Sequence, residues 1–311
     1  MFGVERNVNY QSKRMKKFYK TNWLFKLKST VMLAAMLFAG TAMAQLSGTY
    51  TVNSGAATSG TNFASFSALA SSLRTNGVSG PVTVNVQAGT YSGQMQLNVI
   101  PGASATNTIT INGNGQTLVN KSSAAVINFN GADYVTIDNL IIRAEGTGNG
   151  TRGVWFHNNS DFNTISNCQI LFAKYSGTSN TTGYITFSGS SSSSTSSGNH
   201  GQQNVITKNV MKGISNSYGP YYGYSDYRSS SSATIANEFT DNEVRDVYYY
   251  SLYFYRSNGM KVEDNYFHTS RSGANYAYGV YAYYCGTTTH QISISRNRFS
   301  NLSGLYVYVS Y

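Results

Sequence analysis

Two aspartates in the C-terminal third of the sequence have the residue type and spacing that acid–base chemistry requires. Asp241 and Asp264 occupy the same position in consecutive copies of a repeated motif, and Lys208 and Arg296 occupy it in the flanking copies. If the copies stack as strands about 4.8 Å apart, the carboxylates approach the roughly 5–5.5 Å separation of a retaining glycosidase. The pattern indicates either a catalytic pair or a solvated charged column in which each acid neighbours a base.

The other titratable residues do not strengthen the catalytic alternative. Glu243 and Glu263 lie close to the aspartates and could add calcium ligands, but no motif for holding substrate accompanies them. The four histidines have no partner at metal-ligand spacing and are expected at the surface; they are His157, His200, His268 and His290. The charged column is the preferred interpretation, and the sequence predicts no catalytic residue, no metal and no cofactor.

A second candidate site consists of aromatic residues that alternate with apolar ones. Because Leu252 and Phe254 are expected to face the core, their neighbours are expected to face solvent, and the same holds in the related segments. The predicted outward residues are Trp155, Tyr253, Tyr255, Tyr281, Tyr283, Tyr306 and Tyr308. Two tyrosine columns on three consecutive coils form an uncharged platform suited to sugar rings. The alternative is that tyrosine is present only for its high β propensity.

The elements that position these residues follow from a repeat. Six segments have the form apolar-x-x-Asn-x-apolar, some with a substitution at the Asn, at intervals of 23 to 41 residues. Their key positions are Ile137/Leu140/Ile142, Ile165/Cys168/Ile170, Ile206/Asn209/Met211, Phe239/Asn242/Val244, Val262/Asn265/Phe267 and Ile294/Asn297/Phe299. The Asn is expected at a turn, in the left-handed conformation, stacked on its equivalents in neighbouring coils. The longest interval contains the serine-rich run 188–197, which is interpreted as an insertion loop.

An irregular repeat of this length predicts a solenoid, with two strands and a turn per coil. The expected fold is all-β, a right-handed parallel β-helix over residues 81–311 that is incomplete at its C-terminus; a β-sandwich is the alternative. Residues 45–80 are expected to form a strand and a short helix that covers the first coil. Phe66, Leu69 and Leu73 have helical spacing, with Asn62 or Ser65 as N-cap and Gly77 beyond the end.

The two cysteines are expected to be free. Cys168 replaces the motif Asn and is predicted to point inward as a small apolar residue. Cys285 lies about three to four coils further along, on the order of 15 Å at about 4.8 Å per coil. That separation exceeds what a disulfide allows.

Residues 1–44 are predicted to be a cleaved signal peptide. A basic region precedes a short apolar run from Val31 to Gly40 and then Ala42-Met43-Ala44. The apolar run is too short to span a bilayer of about 30 Å, so a membrane anchor is the less favoured alternative. The segment holds eight of 22 basic and one of 12 acidic residues, which leaves 14 and 11, a net charge of +3. The mature chain is therefore expected to be secreted, with no membrane span and no nucleic-acid partner.

The start of the mature chain resembles pectin-lyase-like β-helix proteins. The resemblance is carried by the short helix, the Ala88-Gly-Thr-Tyr91 turn and the segment Ile109-Thr-Ile-Asn-Gly-Asn-Gly115. The segments "LSGTYTVNSG" and "FASFSALASSLRTNGVSGPVTVNVQAGTY" resemble large secreted β-helix proteins of Bacteroidetes, which implies secretion and a cell-surface location. The Asn-Thr-Asp, Asp-Asp, Gly-His-Gly and Arg-Ile-Lys motifs of polygalacturonases do not occur.

The sequence thus favours a secreted or cell-surface monomer with a non-catalytic binding or adhesive role, and its expected partner is a polysaccharide or cell-surface glycan. The alternative activity is that of a polysaccharide lyase or glycoside hydrolase acting on an acidic polysaccharide such as pectin. A purely structural spacer is the third interpretation.

Overall fold

A computed structural model describes most of the chain from residue 44 onward. It covers residues 44–173, 180–189, 196–214, 219–228, 236–270, 277–286 and 290–302, and the backbone of 304–310. The predicted signal peptide and residues 190–195 of the serine-rich run lie outside this part of the chain. Within it, no helix has the length and apolar character needed to cross a membrane.

The described residues form one helix and a long series of short strands. In chain order these are β1 (Leu46–Val52), β2 (Asn62–Phe63), α1 (Phe66–Asn76), β3 (Val78–Val86), β4 (Thr90–Ser92), β5 (Met95–Asn98), β6 (Ile109–Asn112), β7 (Thr117–Asn120), β8 (Ala125–Asn130), β9 (Val135–Asp138), β10 (Ile141–Ala144), β11 (Arg152–His157), β12 (Thr164–Ser166), β13 (Gln169–Phe172), β14 (Gly183–Phe187), β15 (Val205–Thr207), β16 (Val210–Gly213), β17 (Tyr222–Tyr227), β18 (Glu238–Thr240), β19 (Glu243–Arg245), β20 (Tyr250–Tyr255), β21 (Lys261–Glu263), β22 (Tyr266–His268), β23 (Tyr278–Tyr283), β24 (Ser293–Ser295), β25 (Arg298–Ser300) and β26 (Gly304–Ser310).

From β3 onward, every three consecutive strands make one coil of a parallel β-helix. Sheet 1 runs in the order β2-β1-β3-β6-β9-β12-β15-β18-β21-β24, sheet 2 from β4 to β25, and sheet 3 from β5 to β26. The described strands thus build eight coils, and neighbouring coils pair in parallel register. The predicted fold is confirmed, but the expectation of two strands per coil is wrong. Each repeated motif contains two strands of different sheets, because its Asn turn redirects the chain from sheet 1 to sheet 2.

The turn between sheets 1 and 2 explains why the motif contains Asn. Asn242 Nδ2 donates to the carbonyl of Ile206 (2.8 Å), and its Oδ1 accepts from the backbone N–H of Asn209 (3.0 Å). Asn265 and Asn297 continue this ladder in the following coils. The left-handed conformation belongs to the preceding residue in each copy and not to the Asn, which corrects the sequence-based expectation. Those residues are Asn139, Asn167, Lys208, Asp241, Asp264 and Arg296, with φ of 51–58°.

A second Asn ladder lies at the turn between sheets 3 and 1, and the sequence pattern had not indicated it. Asn163 Oδ1 accepts from the N–H of Val135 (3.0 Å), and Asn204 Oδ1 accepts from the N–H of Asn163 (2.9 Å). Asn237 does the same for Asn204 at 2.8 Å. Both ladders satisfy buried backbone groups that would otherwise cost about 1–3 kcal/mol each.

The helix and the core agree with the sequence pattern. The Ser65 hydroxyl caps α1 by accepting from the N–H of Ala68 (3.1 Å), and Gly77 ends the helix at a φ of 67°. The apolar side of α1 is buried, through residues that include Phe66 and Leu69. Equivalent core rings stack from coil to coil; Phe156 lies 4.5 Å from Phe129 and 4.3 Å from Phe187 between ring centroids.

Candidate functional site

Three columns of residues form the outward side of sheet 3, and strand register defines them. The first contains Arg152, Gly183, Tyr222, Tyr250 and Tyr278. The second contains Gln96, Asn128, Trp155, Thr186, Ser225, Tyr253 and Tyr281. The third contains Asn98, Asn130, His157, Tyr227, Tyr255 and Tyr283. The sheet is therefore polar in its first coils and tyrosine-rich in its later ones.

The first column escaped the sequence prediction because simple alternation fails within β20 and β23. Ser251 and Leu252 are consecutive and both buried, whereas Tyr250 before them and Tyr253 after them are half-buried. The next coil repeats the pattern. Gly279 and Val280 are consecutive and both buried, whereas Tyr278 before them and Tyr281 after them are half-buried. Because two successive residues face inward, a third tyrosine column joins the two that were predicted.

The outward tyrosines of β17, β20 and β23 stack on one another along the solenoid. The rings of Tyr253 and Tyr281 are 5.1 Å apart with planes 8° apart, and those of Tyr255 and Tyr283 are 5.8 Å and 20° apart. We call the set the tyrosine face; it comprises Tyr222, Tyr227, Tyr250, Tyr253, Tyr255, Tyr278, Tyr281 and Tyr283. In each of these two stacked pairs the rings cover part of each other's faces, which corrects the expectation of fully exposed ring faces.

Packing among these rings keeps the phenols neutral. Burial raises the pKa of Tyr253, and the neighbouring Tyr227 raises it further. Burial, followed by Tyr249 and Tyr248, raises the pKa of the adjacent Tyr221 to about 12. The phenols of Tyr253 and Tyr221 are therefore uncharged at physiological pH.

Two of the predicted binding residues do not fit the predicted columns. Trp155 faces outward but is only 5% exposed, because Arg152 covers its ring at 3.9 Å and its Nε1 donates to the Ser188 hydroxyl (2.7 Å). The backbone of Tyr308, and not that of Tyr306, pairs with Tyr281, because the register shifts between β23 and β26.

The aspartate column lies at the turn between sheets 1 and 2, away from the tyrosine face. Arg296 donates to both carboxylate oxygens of Asp264 (2.8 and 2.7 Å) and to Glu263 (2.8 Å). These hydrogen bonds lower the pKa of Asp264, the opposite of what a general acid needs. Among the described residues, no three His, Cys, Asp or Glu side chains are grouped to hold a metal ion. This geometry favours the charged-column interpretation.

Glu243 is likewise engaged in ion pairs. Its carboxylate accepts from Arg245 (2.7 Å) and contacts His268 Nε2 (2.9 Å), and both contacts lower its pKa. The expectation that all four histidines lie at the surface is wrong for His157 and His200, which are fully buried.

The core contains a buried ionic cluster that the sequence pattern had not indicated. Asp226 takes an inward position between Phe187 and Phe254, and its Oδ1 lies 3.2 Å from Arg228 Nε and 3.3 Å from His200 Nε2. Burial raises the pKa of Asp226 and lowers that of His200 well below its usual value. The only signal in the sequence was an aspartate at a position that is Phe in the adjacent coils. The three side chains are buried in the core, where they contact one another.

Comparison with known proteins does not identify a function for this chain, so a functional proposal depends on the geometry. No protein-family model and no curated protein matches the chain. Among solved structures, the alginate lyase from Paenibacillus sp. str. FPU-7 aligns with 85% of this chain and 99% of its own, at 12% identity and a TM-score of 0.27. A likeness at that TM-score carries no argument about fold or activity.

Proposed function

We propose that the chain is a secreted or cell-surface protein that binds a polysaccharide through the tyrosine face without acting on it chemically. The observation that carries the proposal is the stacking of outward tyrosines over three consecutive coils. Stacked rings lose little side-chain entropy when a ligand is bound, because packing already holds them in place. A flat, uncharged array of hydroxyl donors and acceptors matches a polymer that is itself rich in hydroxyl groups.

The charged groups support a non-catalytic role. A lyase or hydrolase needs an acid or base with a pKa adjusted to its task and within reach of substrate. The carboxylates of Asp264 and Glu243 are paired with basic side chains, and the buried Asp226 lies inside the core. We therefore place the function on sheet 3 and retain no second candidate.

The test is retention on insoluble polysaccharides such as cellulose and chitin, together with a glycan array. The Tyr253→Ala/Tyr281→Ala double variant is expected to lose most of its retention. Each lost aromatic pair costs about 0.5–1.5 kcal/mol of stability, so circular dichroism must first show that the variant is folded. The Asp241→Asn/Asp264→Asn double variant serves as the matched control and is expected to bind like the wild type.

Two results would count against the proposal. One is a sugar-releasing activity that disappears in the aspartate variant and persists in the tyrosine variant, which would establish an enzyme. The other is equal retention of the folded tyrosine variant and the wild type on every glycan that binds, which would leave the tyrosines as a β-propensity effect.

A further inference from the structure

Arg152 is a buried cation without an anionic partner. The residue is 3% exposed, Nη1 donates to the carbonyl of Gly150 (2.8 Å), and the guanidinium lies 3.9 Å from the Trp155 ring centroid. Its Nε is buried and makes no hydrogen bond, and none of the ion pairs found among the described residues includes it. Buried charges in proteins are ordinarily paired, because an unpaired one costs several kcal/mol.

The surroundings of Arg152 form a depression on the outward side of sheet 3. Its volume is about 410 Å³, and its lining includes Gln94, Asn128 and Asn149 together with Arg152 and Trp155. Gln94 is held by a hydrogen bond from Nε2 to the carbonyl of Ala125 (2.9 Å). These side chains supply amide donors and one cation around an open space, with an indole at the wall.

A buried histidine orients one of these donors. His157 Nε2 contacts Asn128 Oδ1 (2.8 Å), which leaves the Asn128 Nδ2 group to donate elsewhere. Burial, followed by the charge of Arg152, lowers the pKa of His157 to about 4, so the imidazole is neutral at physiological pH. Among the described residues that line the depression, Arg152 is therefore the one that carries a charge.

We propose that this depression binds an anionic substituent of the polysaccharide, a carboxylate or a sulfate ester. Arg152 lines the depression, the donors of a planar guanidinium match the oxygens of either group, and the amides can bind the adjoining hydroxyls. Arg152 precedes Tyr253 by three coils on the same sheet, about 14 Å along the axis at about 4.8 Å per coil. This inference rests on the proposed function in one respect: the anionic group is taken to be part of a polysaccharide. Under this inference, the ligand is an acidic glycan.

Calorimetry with two pairs of probes tests the site. Polygalacturonate is compared with its fully methyl-esterified form, and dextran sulfate with dextran, so that each pair differs mainly in charge. The wild type is expected to bind one charged probe at least tenfold more tightly than its neutral partner, with the preference falling as salt is added. The pair that shows the preference identifies carboxylate or sulfate as the group. Equal affinities within both pairs would overturn the inference.

Three variants separate a binding role from a structural one. Arg152→Gln is expected to lose the preference for charge by tenfold or more, as removal of a charge-assisted hydrogen bond requires. Arg152→Lys should restore part of it. Gln94→Glu places a competing carboxylate in the same depression without removing Arg152, and is expected to abolish the preference even if Arg152→Gln fails to fold. A charge preference that survives in the folded Gln94→Glu and Arg152 variants would refute the site.

The tyrosine variant distinguishes failure of this inference from failure of the proposed function. Tyr253→Ala/Tyr281→Ala should weaken binding of charged and neutral probes alike and preserve their ratio. If that variant binds all probes like the wild type while Arg152→Gln loses the charge preference, the anion site stands and the tyrosine face does not.

Discussion

Tyr227 stacks on Tyr253 at 4.8 Å, with ring planes 21° apart, although the two residues belong to different columns of sheet 3. The contact is possible because the residue below Tyr253 in its own column is Ser225, which leaves space for the ring of Tyr227 to lean across. Tyr227 is fixed there by a hydrogen bond between its hydroxyl and that of Tyr222 (2.9 Å). On the side nearer to Arg152, the tyrosine face therefore ends in two rings, Tyr222 and Tyr227, whose hydroxyl groups are hydrogen-bonded to each other.

The Asn ladder predicts that removal of a single side-chain amide strongly destabilises the fold. Asn242→Ala removes the acceptor for the N–H of Asn209 and the donor to the carbonyl of Ile206, and both backbone groups are buried. We expect the free energy of unfolding to fall by about 3 kcal/mol, measured by urea denaturation. Asn149→Ala, at an exposed position, is the control and should change stability by less than about 0.5 kcal/mol. Equal effects of the two substitutions would show that the ladder contributes nothing specific.

The two thiols are expected to be unreactive in the folded protein. The structure confirms that Cys168 and Cys285 are free and buried. Burial raises the pKa of Cys168 to about 12 and that of Cys285 to about 11, which suppresses the reactive thiolate. Titration with a thiol reagent should detect neither in native buffer and both in guanidinium chloride. Rapid labelling of either in native buffer would contradict the burial.

Acid is expected to destabilise the fold through His157. Its folded-state pKa of about 4 lies below the ordinary value near 6.5. As the pH falls from about 6.5 to about 4, the unfolded chain therefore binds a proton that the folded chain does not. The free energy of unfolding should fall across that window by on the order of 2 kcal/mol. Urea denaturation at pH 7.5 and 4.5 should show a smaller loss for His157→Gln than for the wild type, and an identical loss would refute the assignment.

Cleavage of the signal peptide is expected to leave Gln45 as the first residue. The first strand begins at Leu46, and that residue is buried, so cleavage after Ala44 removes no part of the described fold. Mass spectrometry of protein collected from the medium of a bacterial host gives the mature mass directly. Recovery of the chain only in the membrane fraction, with residues 1–44 intact, would favour the membrane anchor instead.

Features that depend on residues close together in the sequence could be predicted, whereas features that depend on contacts between distant residues could not. Inward positions such as Leu252 and Phe254 were correct because core packing imposes a local period of two. The third sheet was missed because the two strands that flank the Asn turn, such as β18 and β19, have three residues each, too few to show a period of their own. Burial of Trp155 depends on Ser188, 33 residues away, and no local pattern indicates such a contact.

The orientation of the tyrosine rings makes a last prediction about which atoms contact the ligand. Because Tyr253 and Tyr281 stack face to face, with centroids 5.1 Å apart, the ligand is expected to contact their hydroxyl edges and not the ring faces that cover each other. Tyr253→Phe/Tyr281→Phe keeps the stack and removes only the hydroxyls, so retention on polysaccharide should fall nearly as far as in the alanine variant, while stability changes by less than about 1.5 kcal/mol per hydroxyl. Tyr50→Phe, on sheet 1, is the control and should bind normally. If the phenylalanine variant binds like the wild type and the alanine variant does not, the ligand contacts ring faces, and the stack must open to receive it.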